Sequence, residues 1–317
     1  MPMLLDSEID LELIQSPLNY TGGKFKLLPQ ILPLFPTNID IFVDLFCGGA
    51  NVGVNVKSNK TILNDTNDNL TLLFSMFKNL GDDFLPLIDE IIEKYQLSQS
   101  SKYGYDYYNC DSNTGLAPYN KDKFLKLRDD FNNSKDIGYY HYAMLYTLIL
   151  YSFNNQIRFN SNGHFNLPVG KRDYNEKMKQ KLQKFIDRLK GKDYKFSNLD
   201  FRDFDISTLN TNSFVYADPP YLITCATYNE QGGWNETDER DLLNFLNDLH
   251  RNNIKFALSN VLRSKGKENS ILIDWTQRNS DKYKVINLNY SYNNSNYQTK
   301  NKNEITEEVL IINYGVQ

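Results

Sequence analysis

Residues 42–51 read FVDLFCGGAN, and this stretch is the first indication of the fold. The short apolar run is typical of a buried strand that ends in an acid, and the paired glycines suit a turn into a helix. Glycines also let the backbone approach a ligand, and the amino terminus of a helix favours an anionic group. The chain contains neither the G-x-G-x-x-G dinucleotide fingerprint nor a P-loop. The stretch therefore predicts a ligand site at the end of a strand in an α/β fold.

Short apolar runs recur on both sides of this stretch, and helical patterns alternate with several of them. The strand-like runs lie at 41–46, 61–65, 194–198, 213–218, 255–260, 284–290 and 308–314. Near-continuous apolar runs suit a sheet that is buried on both faces. Alternation with helical patterns such as 67–80 and 237–250 indicates an α/β protein with a mainly parallel sheet. Thr237, which acidic residues follow, is predicted to cap the second of these helices.

The alternation is interrupted in the middle of the chain, where helical patterns dominate. They lie at 84–97, 121–133, 138–153 and 175–190. The simplest organisation is a discontinuous α/β domain, formed by 1–75 and 191–317, around a helical insertion at 76–190. The polar segments 98–101 and 293–303 are predicted to be mobile loops.

Composition excludes several classes of protein. The 317 residues include 22 Tyr and 19 Phe, which is far more core-forming surface than a disordered chain carries. Three Cys are too few and too scattered for a disulfide framework. The longest apolar stretch, 142–153, is too short for a membrane span and predicts a buried helix. The acidic amino terminus has no basic n-region, so we expect a soluble protein of the cytoplasm.

The net charge of −4 conceals an uneven distribution. Residues 151–202 contain twelve Lys or Arg and five Asp or Glu, a local charge of +7, so the remainder carries −11. A basic segment in an acidic protein is typical of binding to a polyanion such as a nucleic acid. The alternative is a solvated helix face at 175–190, and charge alone leaves both interpretations open.

A second segment with specific chemistry is Asp218-Pro219-Pro220-Tyr221, which comes directly after a strand-like run. A carboxylate at the carboxyl end of a parallel strand lies where open α/β sheets bind ligands. The two prolines fix the backbone and remove two N–H donors, so carbonyl acceptors lie beside the carboxylate. Such a site suits a planar group with an amine, which needs acceptors for its hydrogens and an aromatic face for its ring. The alternative is a turn that merely ends the strand.

Two shorter segments add to this pattern. Asp65 lies at the tip of the second strand-like run, where an acid typically binds the two hydroxyls of a ribose, although Asn-Asp also forms turns. Residues 17–24 read PLNYTGGK, and paired glycines with a lysine suit an anionic or carboxylate group. A flexible turn is the alternative for this second segment.

In this order, PLNYTGGK, FVDLFCGGANV, LND and ADPPY resemble the motifs of the Dam-type DNA adenine-N6 methyltransferases, the D12 class. The resemblance covers nearly the whole chain and is strongest to the GATC-modifying enzymes of restriction-modification systems. It includes 154–172, which is similar to the DNA-reading hairpin of the family, and 255–260, which is similar to a later core strand. His164 departs from the acidic residue that is common in related hairpins, so GATC is an expectation that needs testing.

The resemblance implies a Rossmann-like, seven-stranded methyltransferase sheet with a helical target-recognition insertion that carries a β-hairpin. It implies S-adenosylmethionine as cofactor, with Lys24 near its methionine part, Asp65 on its ribose and residues 200–201 beside its adenine. The implied cofactor contacts are Tyr20, Gly23, Lys24, Asp44, Phe46, Cys47, Gly48, Asp65, Asp200, Phe201 and Asp218. The discontinuous domain would bind this cofactor and the insertion would bind DNA.

The implied reaction is methylation of an adenine that is flipped out of duplex DNA. Tyr221 would stack on the base, while Asp218 and the Pro219 carbonyl accept the hydrogens of its amine, with Pro220 completing the catalytic segment. Positioning and electrostatics supply the rate gain, so neither a nucleophilic residue nor a metal is expected. Cys47 is expected to be a small packing residue.

For the hairpin, the resemblance implies that Arg158 reads a base, as a bidentate ligand of guanine. Phe153 and Asn154 would fill or border the gap that the flipped base leaves. Further candidates for base or phosphate contacts are Asn160, Asn166, Lys171 and Arg172. For the asparagines, hairpin turn chemistry is the alternative.

The implied partner is double-stranded DNA, bound by a monomer, and a restriction endonuclease of the same system is a further partner without direct contact. Two other functions remain open at this point. One is a DNA-binding module without catalysis, against which the intact catalytic segment and the paired glycines argue. The other is a methyltransferase that acts on cytosine N4, RNA or a protein amide.

Overall fold

A computed structural model describes residues 12–111, 113–224, 233–289 and 306–316, and its centre is a single sheet. The strands are β1 (Ile39–Asp44), β2 (Ser58–Asn64), β3 (Asp193–Ser197), β4 (Phe214–Ala217), β5 (Lys255–Ser264), β6 (Lys267–Glu268), β7 (Lys284–Leu288) and β8 (Glu307–Ile312). Their order is β3-β2-β1-β4-β5-β8-β7, with the two-residue β6 paired to β5. The first five of these are parallel, whereas β8 runs antiparallel to both of its neighbours. The predicted Rossmann-like α/β class is confirmed, and each of the seven predicted runs forms a strand.

Helices cover the sheet and fill the middle of the chain. They are α1 (Leu28–Ile31), α2 (Asp68–Leu80), α3 (Phe84–Lys94), α4 (Ser100–Tyr103), α5 (Ala117–Asn132), α6 (Tyr139–Tyr151), α7 (Glu176–Lys190), α8 (Glu236–Arg251) and α9 (Ser270–Arg278). In the described part of the chain, no helix combines the length and apolarity needed to cross a bilayer. Between β2 and β3 lie six of these helices, α2 to α7. Helix α2 matches the predicted helix at 67–80, and α3, α5, α6 and α7 match the four helices predicted within 76–190, whereas the short α4 was not predicted.

Alternate strand residues supply two separate apolar layers. Val43 and Val215 face one layer, which α8 and α9 complete, and Phe42 and Phe214 face the other, which includes α1. A third apolar cluster joins the helices of the middle segment around α6, of which every residue from 142 to 151 is buried. The predicted buried helix at 142–153 is therefore confirmed.

Two local predictions are wrong. Helix α8 begins at Glu236, and its cap is Asn235 rather than Thr237, because Asn235 and Asp238 exchange side-chain and backbone hydrogen bonds in a capping box. Segment 98–101 is held in place, because the buried carboxylate of Asp173 accepts hydrogen bonds from Ser98 Oγ (3.0 Å) and from Ser100 Oγ (2.7 Å). The predicted mobile loop at 293–303 lies outside the described residues.

Candidate active site

The polar residues of the predicted site meet at one edge of the sheet. Asp44 ends β1, Asp65 follows β2 and Asp218 follows β4. Register places these three strand ends side by side, since Asp44 is opposite both Leu63 and Tyr216. The carboxyl ends of parallel strands thus bring together acids that are far apart in the chain, which is where such sheets bind ligands.

Asp218 is held by contacts to two other predicted site residues. Its Oδ1 lies 3.0 Å from Lys24 Nζ and accepts a hydrogen bond of 2.9 Å from the Tyr221 hydroxyl. Lys24 Nζ also lies 4.9 Å from the centre of the Tyr221 ring. Burial raises the pKa of Asp218, while the charge of Lys24 and the two hydrogen bonds oppose that shift. Pro219 and Tyr221 are buried, whereas Pro220 is exposed.

Glu308 belongs to the same cluster, although the sequence pattern does not single it out. Its Oε1 lies 3.8 Å from Lys24 Nζ and accepts a hydrogen bond of 3.5 Å from the Tyr221 hydroxyl. Because β8 is antiparallel, its first residues lie at the edge where β4 and β5 end. The only signal in the sequence is an acid at the start of an apolar run.

The glycine turn after β1 is tied to the acid after β2. Gly48 N–H donates to Asp65 Oδ2 (2.9 Å), and Asn67 N–H donates to Oδ1 (3.0 Å). Gly48 has φ +47°, and a Cβ there would lie 2.8 Å from the Tyr20 ring, so only glycine fits. Cys47 is buried beside it, as expected of a packing residue.

Burial raises the pKa of the carboxyl groups behind this turn. The pKa of Asp44 rises to about 8, although Gly53 N–H donates to its Oδ2 at 2.9 Å, and Asp218 and Asp65 add to the rise. Burial also raises the pKa of Asp65, against its two backbone hydrogen bonds, and that of Tyr20. Among the described residues, no group of three His, Cys, Asp or Glu is arranged to hold a metal ion.

Three aromatic side chains form an aromatic wall at the opposite end of the edge: Phe46, Phe201 and Trp234. The ring centre of Phe46 lies 5.6 Å from that of Phe201 and 5.8 Å from that of Trp234. Phe201 is buried, whereas Phe46 and Trp234 are partly exposed. The sequence pattern does not single out Trp234, whose Nε1 donates to the buried Glu239 Oε2 at 2.6 Å.

Asp200 has a structural task beside this wall. Its Oδ1 accepts a hydrogen bond from Arg202 N–H (2.9 Å), which caps the 3-10 turn that carries Phe201. Arg202 pairs with Asp200, Asp238 and Asp241, and its guanidinium lies 4.5 Å from the centre of the Phe201 ring. This cluster fixes Phe201 against the amino terminus of α8.

The predicted hairpin is present between α6 and α7. Isolated bridges pair Phe159 with Phe165 and Ser152 with Val169. Arg158 and Asn166 face each other across it, since Arg158 Nε donates to Asn166 Oδ1 at 2.7 Å and both are accessible. Asn160 Oδ1 accepts from the N–H groups of two residues in the tip, which is the turn chemistry left open above.

The base of the hairpin contacts the loop that carries Lys24. Asn19 Nδ2 donates to the backbone oxygen of Asn154 at 3.1 Å, and Asn154 has φ +57°. Phe153, next to it, is 51% exposed, which is unusual for a large apolar side chain. The predicted DNA-facing Phe153 and the predicted cofactor loop, residues 17–24, are therefore neighbours.

The basic residues divide into two groups. Lys171 and Arg172, at the end of the hairpin, are exposed, and Lys171 Nζ donates to the Asn113 carbonyl at 3.2 Å. On α7, by contrast, three lysines form surface ion pairs within the fold: Lys179–Asp89, Lys184–Glu12 and Lys190–Asp82. Arg188 Nη1 donates a hydrogen bond to the Val54 carbonyl (2.8 Å). The helix-face alternative therefore applies to α7, and the candidate DNA contacts lie on the hairpin.

Comparison with known proteins supports the family that the motifs resemble. The model of the family described as D12 class N6 adenine-specific DNA methyltransferase matches residues 20–301. Modification methylase StsI of Streptococcus sanguinis and Type II methyltransferase M.FokI of Planomicrobium okeanokoites are each 42% identical over 95% of this chain. The chain spans only 43% of the length of each. DNA adenine methylase of Serratia marcescens is 27% identical over 67% of the chain and 68% of its own length. This chain belongs to the D12 class of N6 adenine-specific DNA methyltransferases.

Proposed function

We propose that this chain transfers a methyl group from S-adenosylmethionine to N6 of an adenine in duplex DNA. The observation that carries the proposal is the position of Asp218, at the sheet edge that also holds the glycine turn and the aromatic wall. Acceptor groups beside a buried carboxylate suit an amine, and the family to which the chain belongs is adenine-specific.

The residues at the edge fit each part of the cofactor. Lys24 supplies a positive charge for the methionine carboxylate, and Asp65 supplies acceptor oxygens for the ribose hydroxyls. Phe46 and Trp234, both partly exposed, offer ring surface to the adenine. When bound, the cofactor supplies a methyl group on a positively charged sulfur, whose C–S bond breaks as the N6–C bond forms, with one N6 proton released to water.

Asp218 would act on the target base after it leaves the helix. Its carboxylate and the Pro219 carbonyl accept the two hydrogens of the amine, which concentrates the N6 lone pair toward the incoming methyl group. Tyr221, whose side chain is buried, orients Asp218 through its hydroxyl, and its ring would border the base. Buried, fixed acceptors act more strongly than water and need no rearrangement during the reaction.

DNA recognition is assigned to the helical insertion, residues 76–190, and above all to its hairpin. Arg158 would read a guanine, and Phe153 would fill the gap beside the flipped adenine. GATC is the target that the hairpin motif implies, although His164 replaces the acidic residue that is common in that motif.

The chain would act as a monomer in the cytoplasm. Modification of host DNA against a companion restriction endonuclease is the matching role, since two relatives carry the names of modification methylases.

Transfer of a tritiated methyl group to duplex DNA, RNA and protein, measured side by side, tests the substrate class. We expect label in DNA alone. Sequencing of methylated bases in DNA from cells that express the chain then gives the target site, N6-adenine against N4-cytosine included. If calorimetry detects no binding of S-adenosylmethionine, the chain is a DNA-binding module and the proposal fails.

A further inference from the structure

We infer that Glu308 is a positioning residue, which holds Lys24 between itself and Asp218 and thereby keeps Asp218 able to accept the amine of the base. The inference rests on the proposed function, because it gives Glu308 a part in methyl transfer at that same site. It extends the site to a residue outside all the motifs that identify the family.

The backbone around Glu308 is fixed on both sides. The residue is opposite Val261 of β5 and Leu288 of β7, and it is only 1% exposed. A carboxylate at an interior position of a sheet has little freedom to move toward solvent. Its carboxyl group is therefore held at a fixed position beside the strand ends.

Lys24 is the cation that faces the carboxyl group of Glu308. It is 5% exposed, and its Nζ lies 3.8 Å from Glu308 Oε1, 3.0 Å from Asp218 Oδ1 and 3.0 Å from the Gly22 carbonyl. The Tyr221 hydroxyl is shared in the same way, at 2.9 Å from Asp218 and 3.5 Å from Glu308. The Lys24 ammonium and the Tyr221 hydroxyl thus each contact both carboxyl groups.

This sharing has a consequence for catalysis. A buried ammonium facing a single carboxylate would form a tight pair, because attraction is strong where water is excluded. Such a pair would compete with the amine of the base for the Asp218 oxygens. Glu308 draws part of the Lys24 charge toward itself, so the hold of Lys24 on Asp218 weakens. Loss of the Glu308 charge should therefore slow transfer without weakening DNA binding.

Glu307 is a matched control for this test. It is the neighbouring glutamate in the same strand, but its side chain is 33% exposed and pairs with Arg263 on the surface at 2.8 Å. We compare wild type, E308Q and E307Q, with the rate of a single turnover, the Kd for duplex DNA and the thermal unfolding midpoint as measurements. E308Q is expected to slow transfer at least tenfold with DNA affinity within twofold of wild type, and E307Q to remain within twofold in both.

A double-mutant cycle separates positioning from a structural role. If Glu308 acts through Lys24, then E308Q added to K24M should change the rate less than twofold, whereas it slows wild type at least tenfold. Equal losses in the two backgrounds would mean that Glu308 does not act through Lys24. If E308Q fails to fold, E308D takes its place: its shorter side chain lengthens the contact to Lys24, so a three- to tenfold slower rate is expected.

The outcomes distinguish failure of the proposed function from failure of the role of Glu308. A wild-type protein that transfers no methyl group to DNA removes both the proposed function and the role of Glu308. An active wild type in which E308Q, or E308D in its place, behaves like E307Q overturns the inference about Glu308 alone.

Discussion

Asp218 is the residue on which the proposed chemistry depends. D218A removes both the carboxylate and the acceptor of the Tyr221 hydroxyl, and we expect methyl transfer to fall at least about 100-fold, as when a preorganised polar group is removed from an active site. The Kd for duplex DNA should stay within threefold, because we propose that the contacts that read the sequence lie on the hairpin. D193A, an exposed acid at the start of β3 and at the opposite edge of the sheet, is the control. Turnover like that of wild type in D218A would refute the assigned role.

Arg158 is the residue that should set the sequence preference. A bidentate arginine contact to guanine contributes about 1–3 kcal/mol of discrimination, so R158A should lower the preference for the target over single-base variants by about 5- to 150-fold. The measurement is the rate on a set of duplexes that differ at one position. R240A, on the exposed face of α8, should leave the preference unchanged. Full discrimination in R158A would mean that another residue reads that base.

Trp234 allows cofactor binding to be followed without catalysis. The chain has two Trp. The other one, Trp275 of α9, stacks on Tyr283 and lies away from the aromatic wall. Addition of S-adenosylmethionine should change the fluorescence of wild type and of W275F, because Trp234 would contact the adenine. W234F should lose this change and bind more weakly by calorimetry. A full fluorescence change in W234F would place the adenine elsewhere.

At the scale of one element, two of the three buried tyrosines of α6 are in opposite situations. The Tyr151 hydroxyl donates to the Ser98 carbonyl at 2.6 Å, whereas the Tyr146 hydroxyl has no hydrogen-bond partner among the described residues. An unsatisfied buried hydroxyl costs about 1–3 kcal/mol, and a typical buried hydrogen bond contributes about 1 kcal/mol. Y146F should therefore raise the free energy of unfolding and Y151F should lower it by about 1 kcal/mol.

Urea unfolding at fixed pH measures both variants of α6. The two substitutions remove the same atom from the same helix, so each controls for the other. If both variants lose stability equally, the hydroxyl of Tyr146 has a partner, and the packing around α6 differs from that described here.

The insertion and the sheet are also joined at the scale of elements. The base of the hairpin touches the cofactor loop through Asn19 and Asn154, and Arg188 of α7 caps a carbonyl that follows the glycine turn. The ion pair of Lys184 with Glu12 is a further contact of this kind. We expect these contacts to limit the movement of the proposed DNA-reading unit and so to help place the flipped base at Asp218.

At the scale of the whole molecule, buried carboxyl groups at the sheet edge make stability depend on pH. Burial raises the pKa of Asp44 to about 8 and also raises those of Asp65, Asp218 and Glu239. The folded protein then keeps protons that the unfolded chain has released, so stability falls as the pH rises toward 8. The lowered pKa of His141 acts in the opposite direction, but only below its ordinary value of about 6.5.

Between about pH 6.5 and 8 we therefore expect the free energy of unfolding of the cofactor-free protein to decrease, by at most about 1.4 kcal/mol per pH unit from Asp44, whose pKa of about 8 sets this window. D44N should flatten this dependence, because the amide carries no proton to lose. Urea unfolding at several pH values measures the slope, with the exposed Asp193→Asn as control. A free energy of unfolding that rises with pH would contradict the prediction, as would a pH dependence in D44N equal to that of wild type.

Local sequence determined much of this protein. Each predicted strand is present, because short apolar runs bounded by polar turns have few other ways to be buried, and the acid that ends or follows a strand takes its place at the sheet edge with it. The glycine turn is likewise legible in the sequence, since only glycine fits beside Tyr20. By contrast, Thr237 was a reasonable cap by residue type, but the competing Asn235 makes a complete capping box.

Tertiary structure alone decided the rest. Glu308 meets Lys24 because β8 runs antiparallel beside β5, and neither strand order nor direction is encoded in a local pattern. Trp234 lies beside Phe46 and Phe201, and its indole N–H donates to the carboxylate of Glu239, which is buried beneath it. Three of the five lysines of α7 form ion pairs for the same reason, since their partners are brought close only by folding. The sequence gives the number of charged residues, whereas the packing of distant segments decides which basic side chains are already paired within the fold and which are accessible to DNA.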